Sequence, residues 1–188
     1  MRVLVACEFS GIVREAFLRR GHDAYSCDLR FTAYYRSARH ITGDVRPLLR
    51  QSWDLVIAHP PCTYLTNSGS PFLIRPGRIE KVKFGALLFL QCLNANAPRV
   101  CVENPIPHRA AKELIGEPYT QVIQPWQFGH GETKATCLWL KGLPPLVPTN
   151  VVEGREQRNR NLPPSANRRM LRSLTFHGIA RAMAEQWG

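Results

Sequence analysis

The chain has 188 residues, 44% hydrophobic and 21% charged, the composition of one ordinary globular domain with a sizeable core, which excludes a disordered chain. No apolar run is long enough for a bilayer span, and Met1-Arg2-Val3-Leu4-Val5 enters a strand-like run with no signal-peptide plan, so a soluble cytoplasmic protein is expected. The net charge of +11, from 25 basic and 14 acidic residues, favours a polyanionic partner but does not separate DNA from RNA or from a phosphorylated small molecule.

In chain order the pattern alternates between strand and helix. Residues 3–7 form a continuous apolar strand, followed by the turn Glu8-Phe9-Ser10-Gly11. Residues 12–20 have helical spacing, with Val13, Ala16 and Phe17 on one face and Gly21 as a stop. A second strand at 24–27 ends in Asp28, a basic and aromatic connection covers 30–40, and Ile41-Thr42 forms a short strand before Gly43-Asp44. After the strand 55–58, residues 79–93 place Ile79, Val82, Ala86, Phe89, Leu90 and Leu93 at helical spacing. A further buried strand at 100–102 ends in Glu103-Asn104-Pro105. Such alternation predicts an α/β fold with a doubly wound, mostly parallel sheet in a single domain.

Beyond Glu103 the pattern changes. A short helix at 110–114 precedes strand candidates at 121–123 and 136–140, joined by the loop Phe128-Gly129-His130-Gly131-Glu132-Thr133-Lys134. Pro144, Pro145 and Pro148 then interrupt regular structure, and the arginine-rich segment 155–172 reads as a mobile basic loop. Arg155, Arg158, Arg160, Arg168 and Arg169 are its candidate phosphate contacts. A final helix at 176–187 carries Ile179, Met183 and Trp187 on one face. The six cysteines are scattered, with no C-x-x-C pair and no closely spaced Cys/His set, so reduced thiols and no structural zinc are expected.

The stretch Trp53-Asp54-Leu55-Val56-Ile57-Ala58-His59-Pro60-Pro61-Cys62-Thr63-Tyr64-Leu65-Thr66-Asn67-Ser68-Gly69 concentrates the chemistry. Its buried strand breaks at two prolines, which stiffen the backbone and set Cys62 on a loop at a strand end, where ligands bind in α/β sheets. The same rule sends Phe9-Ser10-Gly11, Asp28, Asp44 and Glu103 toward one crevice. The first turn has one glycine where a dinucleotide fingerprint has three, which argues against a pyrophosphate ligand. Asp28 is placed to take both hydroxyls of an adenosine ribose, and Asp44 to accept a hydrogen from the adenine amino group.

This ordered set resembles the cytosine-5 methyltransferases that use S-adenosylmethionine. Phe9-Ser10-Gly11 matches the first family motif, Asp28 the ribose acid, Gly43-Asp44 the third motif, Pro61-Cys62 the nucleophile and Glu103-Asn104 the glutamate motif. The similarity covers residues 3–140 and resumes at 172–187. It implies a Rossmann-like class I methyltransferase fold and S-adenosylmethionine as cofactor. It also implies Cys62, Glu103 and Lys134 as catalytic residues. Phe9, Ser10, Gly11, Asp28, Leu29, Asp44, Val45, Pro61, Ser173 and Thr175 would then bind the cofactor, and no metal is called for. The substrate it implies is nucleic acid, with DNA first, and RNA or a free cytidine nucleotide as alternatives.

The chain departs from the family in three places. Val13 and Arg14 stand where the first motif has further glycines. The arginine-rich strand motif is represented by Glu132-Thr133-Lys134-Ala135-Thr136, in which Lys134 supplies one positive charge and Thr136 cannot supply another. The target-recognition domain is replaced by a proline- and arginine-rich stretch at 144–172, so sequence selectivity is expected to be low, to come from a partner protein or self-association, or to be unnecessary on a single-stranded or nucleotide substrate. Two further readings stand beside the first. A non-catalytic nucleic-acid-binding protein on the same fold is told apart by whether the purified protein binds S-adenosylmethionine at all. An amino-group methyltransferase, suggested by the paired prolines, lacks the amide or carboxylate before them and the aromatic after them that its chemistry needs.

Overall fold

Strand β1 (Arg2–Ala6) has no polar residue from Val3 onward because both of its faces are covered. In this computed structural model, which describes residues 1–32, 37–67, 71 and 73–188 without the side chain of Arg160, Leu4 and Ala6 point into one core and Val3 and Val5 into another. The same division holds for β4 (Leu55–Ala58): Val56 and Ala58 face one way, Leu55 and Ile57 the other. Helix α3 (Arg78–Leu93) covers the first face through Val82, Ala86, Phe89 and Leu93, with α2 (Arg46–Leu49) and α4 (Arg109–Ile115) beside it. Helices α1 (Ile12–Leu18) and α7 (His177–Trp187) cover the second face through Val13, Phe17, Ile179, Met183 and Trp187. Each such aliphatic or aromatic side chain is worth about 1.5–3 kcal/mol when fully buried.

The remaining strands are β2 (Asp23–Asp28), β3 (His40–Thr42), β5 (Val100–Pro105), β6 (Gln121–Ile123) and β7 (Thr136–Lys141). Their order across the sheet is β3-β2-β1-β4-β5-β7-β6. Strands β1 to β5 run parallel to one another, whereas β7 is antiparallel to both β5 and β6. The expected Rossmann-like α/β class is therefore the one observed. The chain winds outward from β1 to β3 and then returns on the other side of β1, so the reversal that opens a crevice lies between the ends of β1 and β4.

Several local expectations change. Ile79 is 43% exposed, because the first turn of α3 stands clear of the sheet, and Cys92 completes the buried stripe instead. Strand β5 runs on through Glu103 to Pro105, since β7 pairs with its whole length. The segment expected as a mobile basic loop contains two short helices, α5 (Arg158–Asn161) and α6 (Arg168–Ser173). Its start, and the stretch just before it, are also paired to the loop before β7: the Gly129 amide donates to the Asn150 carbonyl, Thr133 to Glu156 and Glu156 to Gly131, at 2.7, 2.9 and 3.0 Å. Ser68 and Gly69, at the end of the Cys62 stretch, and residues 33–36 of the connection after β2 lie outside the described residues. All six cysteines are unpaired thiols. Among the described residues no helix is long and apolar enough to cross a membrane, and no group of three His, Cys, Asp or Glu residues could hold a metal ion.

Candidate active site

The loop after β4 is stapled to the end of β5. The His59 amide donates to the Ala6 carbonyl at 2.9 Å, and Asn104 Nδ2 donates to the Pro60 carbonyl at 3.1 Å. The Cys62 carbonyl accepts from the Leu65 and Thr66 amides at 3.0 and 3.2 Å, closing one helical turn. That turn is tied down in its place by the Asn67 amide on the Ile106 carbonyl and the His108 amide on the Leu65 carbonyl. His108 Nδ1 accepts from the Ala111 amide as the cap of α4, so its proton is on Nε2, which donates to the Tyr64 carbonyl at 2.9 Å. Cys62 is thus half-buried on a rigid loop, with Pro60 buried behind it and Pro61 exposed.

Glu103 projects from neighbouring β5 into the same space. His59 Nδ1 lies 2.9 Å from Glu103 Oε2, an ion pair when the imidazole is protonated, and both side chains are largely buried. Burial alone would raise the Glu103 carboxyl, but the His59 hydrogen bond and charge, helped by Lys134, hold it below the ordinary glutamate value. The Cys62 thiol is pushed up, first by burial and then by the Glu103 charge, against the opposing pull of Lys134 and Arg172. Lys134 Nζ donates to the Leu174 carbonyl at 3.2 Å and lies 5.7 Å from the centre of the Phe176 ring. The three residues expected as catalytic therefore act on one another electrostatically.

The turn after β1 is organised from within. Glu8 is 4% exposed; its carboxylate accepts from the Val13 amide at 2.6 Å and the Arg14 amide at 3.3 Å. Ser10 turns inward with it, donating to Glu8 Oε1 and accepting from the Ile12 amide, both at 3.3 Å. Ser10 therefore does not present its hydroxyl to the crevice as its motif position suggests. Burial raises the Glu8 carboxyl, with the charge of His59, the two amides and Arg14 pulling the other way. Gly11 has φ 75°, the left-handed conformation that lets the chain enter α1 at this turn.

The other expected cofactor residues are spread over several elements. Phe9 is buried, with the Arg30 guanidinium 5.8 Å from its ring centre. Asp28 ends β2 half-buried, with one carboxylate oxygen accepting from the Arg30 amide at 2.9 Å, and Leu29 beside it is 78% exposed. Asp44 is exposed and ion-paired to Arg46 at 2.6 Å, and it also accepts the Arg46 amide at the start of α2, which keeps its carboxyl low. Val45 is buried. Ser173 donates to the Met170 carbonyl at 2.7 Å, whereas Thr175 lines a cavity of about 380 Å³ with Ile12, His130, Glu132, Leu174 and Phe176.

The basic segment divides by what its arginines already hold. Arg155 stacks at 4.0 Å over Trp126 and donates to the Val152 carbonyl at 3.0 Å; Arg158 is ion-paired to Glu156 at 2.9 Å and Glu132 at 3.6 Å. Arg168 donates to the Leu162 carbonyl at 2.7 Å, and Arg169 is exposed. The side chain of Arg160 lies outside the described residues. Three residues of the site escape sequence reasoning as participants: Glu8, His59 and Arg172. Glu8 and His59 carry a weak signal, being ionisable residues inside apolar strand-to-turn stretches.

No protein-family model and no curated protein matches the chain. Solved structures similar to it include a prophage-encoded E. coli protein described as a DNA modification methyltransferase, 13% identical with a TM-score of 0.48, over 81% of this chain and 52% of that one. The Entamoeba histolytica methyltransferase EhMeth is 14% identical with a TM-score of 0.42, over 88% and 60%. The S. pombe Dnmt2 methyltransferase is 14% identical with a TM-score of 0.41, over 77% and 51%. The chain spans about half the length of these proteins, and at such identities its chemistry has to be read from its own residues.

Proposed function

We propose that the protein transfers a methyl group from S-adenosylmethionine to carbon 5 of cytosine in DNA through a covalent adduct on Cys62. The observation that carries this reading is that the Cys62 loop and Glu103 come from adjacent parallel strands, with Asn104 beside Glu103 bound to the Pro60 carbonyl of that loop. The crevice suits a methyl donor without phosphates: the two α1 amides that would grip a phosphate are taken by Glu8. Asp28 would hold the ribose hydroxyls, with Phe9, Gly11, Leu29, Val45 and Pro61 as walls and Ser173 and Thr175 closing the site. Asp44 reaches the adenine amine only by exchanging Arg46 for it. When bound, the cofactor supplies an electrophilic methyl group.

Carbon 5 of cytosine is a poor nucleophile, so a thiolate must first add at carbon 6 and make it an enamine carbon. The proton inventory of the site fits this step. Cys62 has a proton to lose and Glu103 needs one to act as an acid. Moving the thiol proton to Glu103 removes the charge that disfavours the thiolate and creates the acid in one event. As sulfur bonds to carbon 6, Glu103 gives its proton to ring nitrogen 3, and carbon 5 takes the methyl group. Loss of the carbon 5 hydrogen as a proton to water then expels the thiolate, and nitrogen 3 returns its proton to Glu103. Lys134 offsets the negative charge that moves between these groups.

A base in a duplex has to leave the stack to reach Cys62. Arg155, Arg158, Arg160, Arg168 and Arg169 would steady the backbone around it. Target choice would fall to a partner protein or a second copy, since segment 144–172 packs onto the catalytic fold. The test is incubation with cofactor and DNA carrying 5-fluorocytosine, whose fluorine cannot leave as the proton does. A covalent adduct is expected with the unaltered protein and none with Cys62→Ala. Parallel arms with RNA and free nucleotides identify the substrate form. Methyl transfer by Cys62→Ala, or a product methylated on the exocyclic amine, would overturn the reading.

A further inference from the structure

His59 is the residue of this site that the proposed chemistry leaves unexplained. It precedes the two prolines, its side chain is 10% exposed, and it acts on two buried carboxyls from different parts of the chain, Glu103 and Glu8. On one side, Nδ1 is 2.9 Å from Glu103 Oε2. On the other, Nε2 is buried without a hydrogen-bond partner, and the Glu8 carboxylate that feels the imidazole charge is pinned by the Val13 and Arg14 amides. A buried ring nitrogen without a partner carries a desolvation cost, so it is not explained as packing. The backbone of His59 is anchored independently, through its amide on the Ala6 carbonyl, so the ring is aimed by the strand end and not by Glu103 alone.

Resting on the reading of Glu103 as the acid at ring nitrogen 3, we propose that His59 is its positioning residue. By donating Nδ1–H to Oε2 it leaves only Oε1 to carry the proton exchanged with the base. It also holds the carboxylate charge each time that proton is given up. The proton transferred is the one on Oε1; the Nδ1 proton stays on the imidazole throughout. The carboxyls that feel this ring are Glu8, in the turn after β1, and Glu103, on β5; Arg14 acts in turn on Glu8, and Lys134 on Glu103.

The test compares His59→Asn with His59→Gln and His59→Ala in methyl transfer to cytosine-containing DNA. An Asn amide reaches the position of Nδ1 and can donate to Oε2, whereas the longer Gln amide reaches the position of Nε2. Groups that orient a functional residue are typically worth about 10–100-fold, and a loss of that size in kcat is expected for Ala and Gln, with KM for DNA and cofactor within about twofold. His59→Asn should recover much of it. The acid limb of the kcat profile should move to higher pH in Ala and Gln, because Glu103 loses the hydrogen bond that holds it low, and should return toward its original place in Asn. Gln keeps the site filled if Ala does not fold. An unmoved acid limb in a folded Gln variant, or a change in KM alone, would overturn the proposal. The 5-fluorocytosine adduct separates the two readings: absent from the unaltered protein, it removes the parent mechanism and this inference together, whereas an adduct with indifferent His59 variants removes only this one.

Discussion

Cys62 and Asp28 differ in how far their surroundings have prepared them. Cys62 is held as a thiol until a proton leaves its neighbourhood, whereas Asp28 has one carboxylate oxygen engaged by the Arg30 amide. Asp28→Ala is expected to weaken S-adenosylmethionine binding by about 1–3 kcal/mol, the scale for a charged hydrogen-bond partner, as read by calorimetry. An unchanged affinity would remove Asp28 from the site. Glu103 makes a prediction about stability. Its carboxyl lies below the ordinary glutamate value in the fold, so between the two values the unfolded chain binds more protons and stability falls as pH is lowered. Glu8 works in the opposite sense: its raised carboxyl favours the fold at low pH and loses that contribution as pH rises through its folded value. In urea unfolding, the stability advantage of the unaltered protein over Glu103→Gln should narrow as pH falls below the ordinary carboxylate range. A difference that stays constant there would mean that His59 does not hold Glu103 low.

At the scale of elements, the approach of α7 to the loop before β7 sets the wall of the site. An ideal Cβ on Gly178 would fall 1.8 Å from the Phe128 carbonyl oxygen, while the Gly178 amide donates to His130 Nε2 at 3.0 Å. Glycine at the start of α7 thus permits a close approach that also places Leu174 under Lys134. Gly178→Ala should destabilise the fold by about 1–3 kcal/mol, the usual range for overpacking, measured by denaturant unfolding. A neutral result would mean that helix and loop move apart freely, and the Lys134 anchor would then be adjustable.

For the whole molecule, the net charge of +11 is partly spoken for. Arg158 and Arg46 are committed to carboxylates and Arg155 lies against Trp126, whereas Arg169 and Arg172 are exposed on α6, and Arg172 acts on Cys62. Binding to polynucleotide should fall steeply with salt, because each phosphate neutralised by the protein releases counterions. Replacing both Arg169 and Arg172 by Ala should reduce the slope of log affinity against log salt by about 1 for each phosphate that is no longer neutralised. A slope that does not change would move the phosphate path to another face.

The amino-acid sequence by itself determined the order and type of most elements, because a strand buried on two faces must be apolar throughout and a helix on a sheet must repeat near every fourth residue. It also marked Cys62, Glu103 and Asp28, since polar residues that end or closely follow apolar strands have few places to go in such a sheet. It did not mark what those residues touch. His59 meets Glu103 across 44 positions of chain, and Glu8 turns back onto the amides of its own following helix, a pairing that residue type alone does not specify. Segment 155–172 reads as a loop from its charge and prolines, yet its start is held by backbone pairing of Glu156 to Gly131 and Thr133, which leaves no periodic trace in side chains. Only the tertiary structure decided these points, because they depend on which distant groups the packed sheet brings within hydrogen-bond reach.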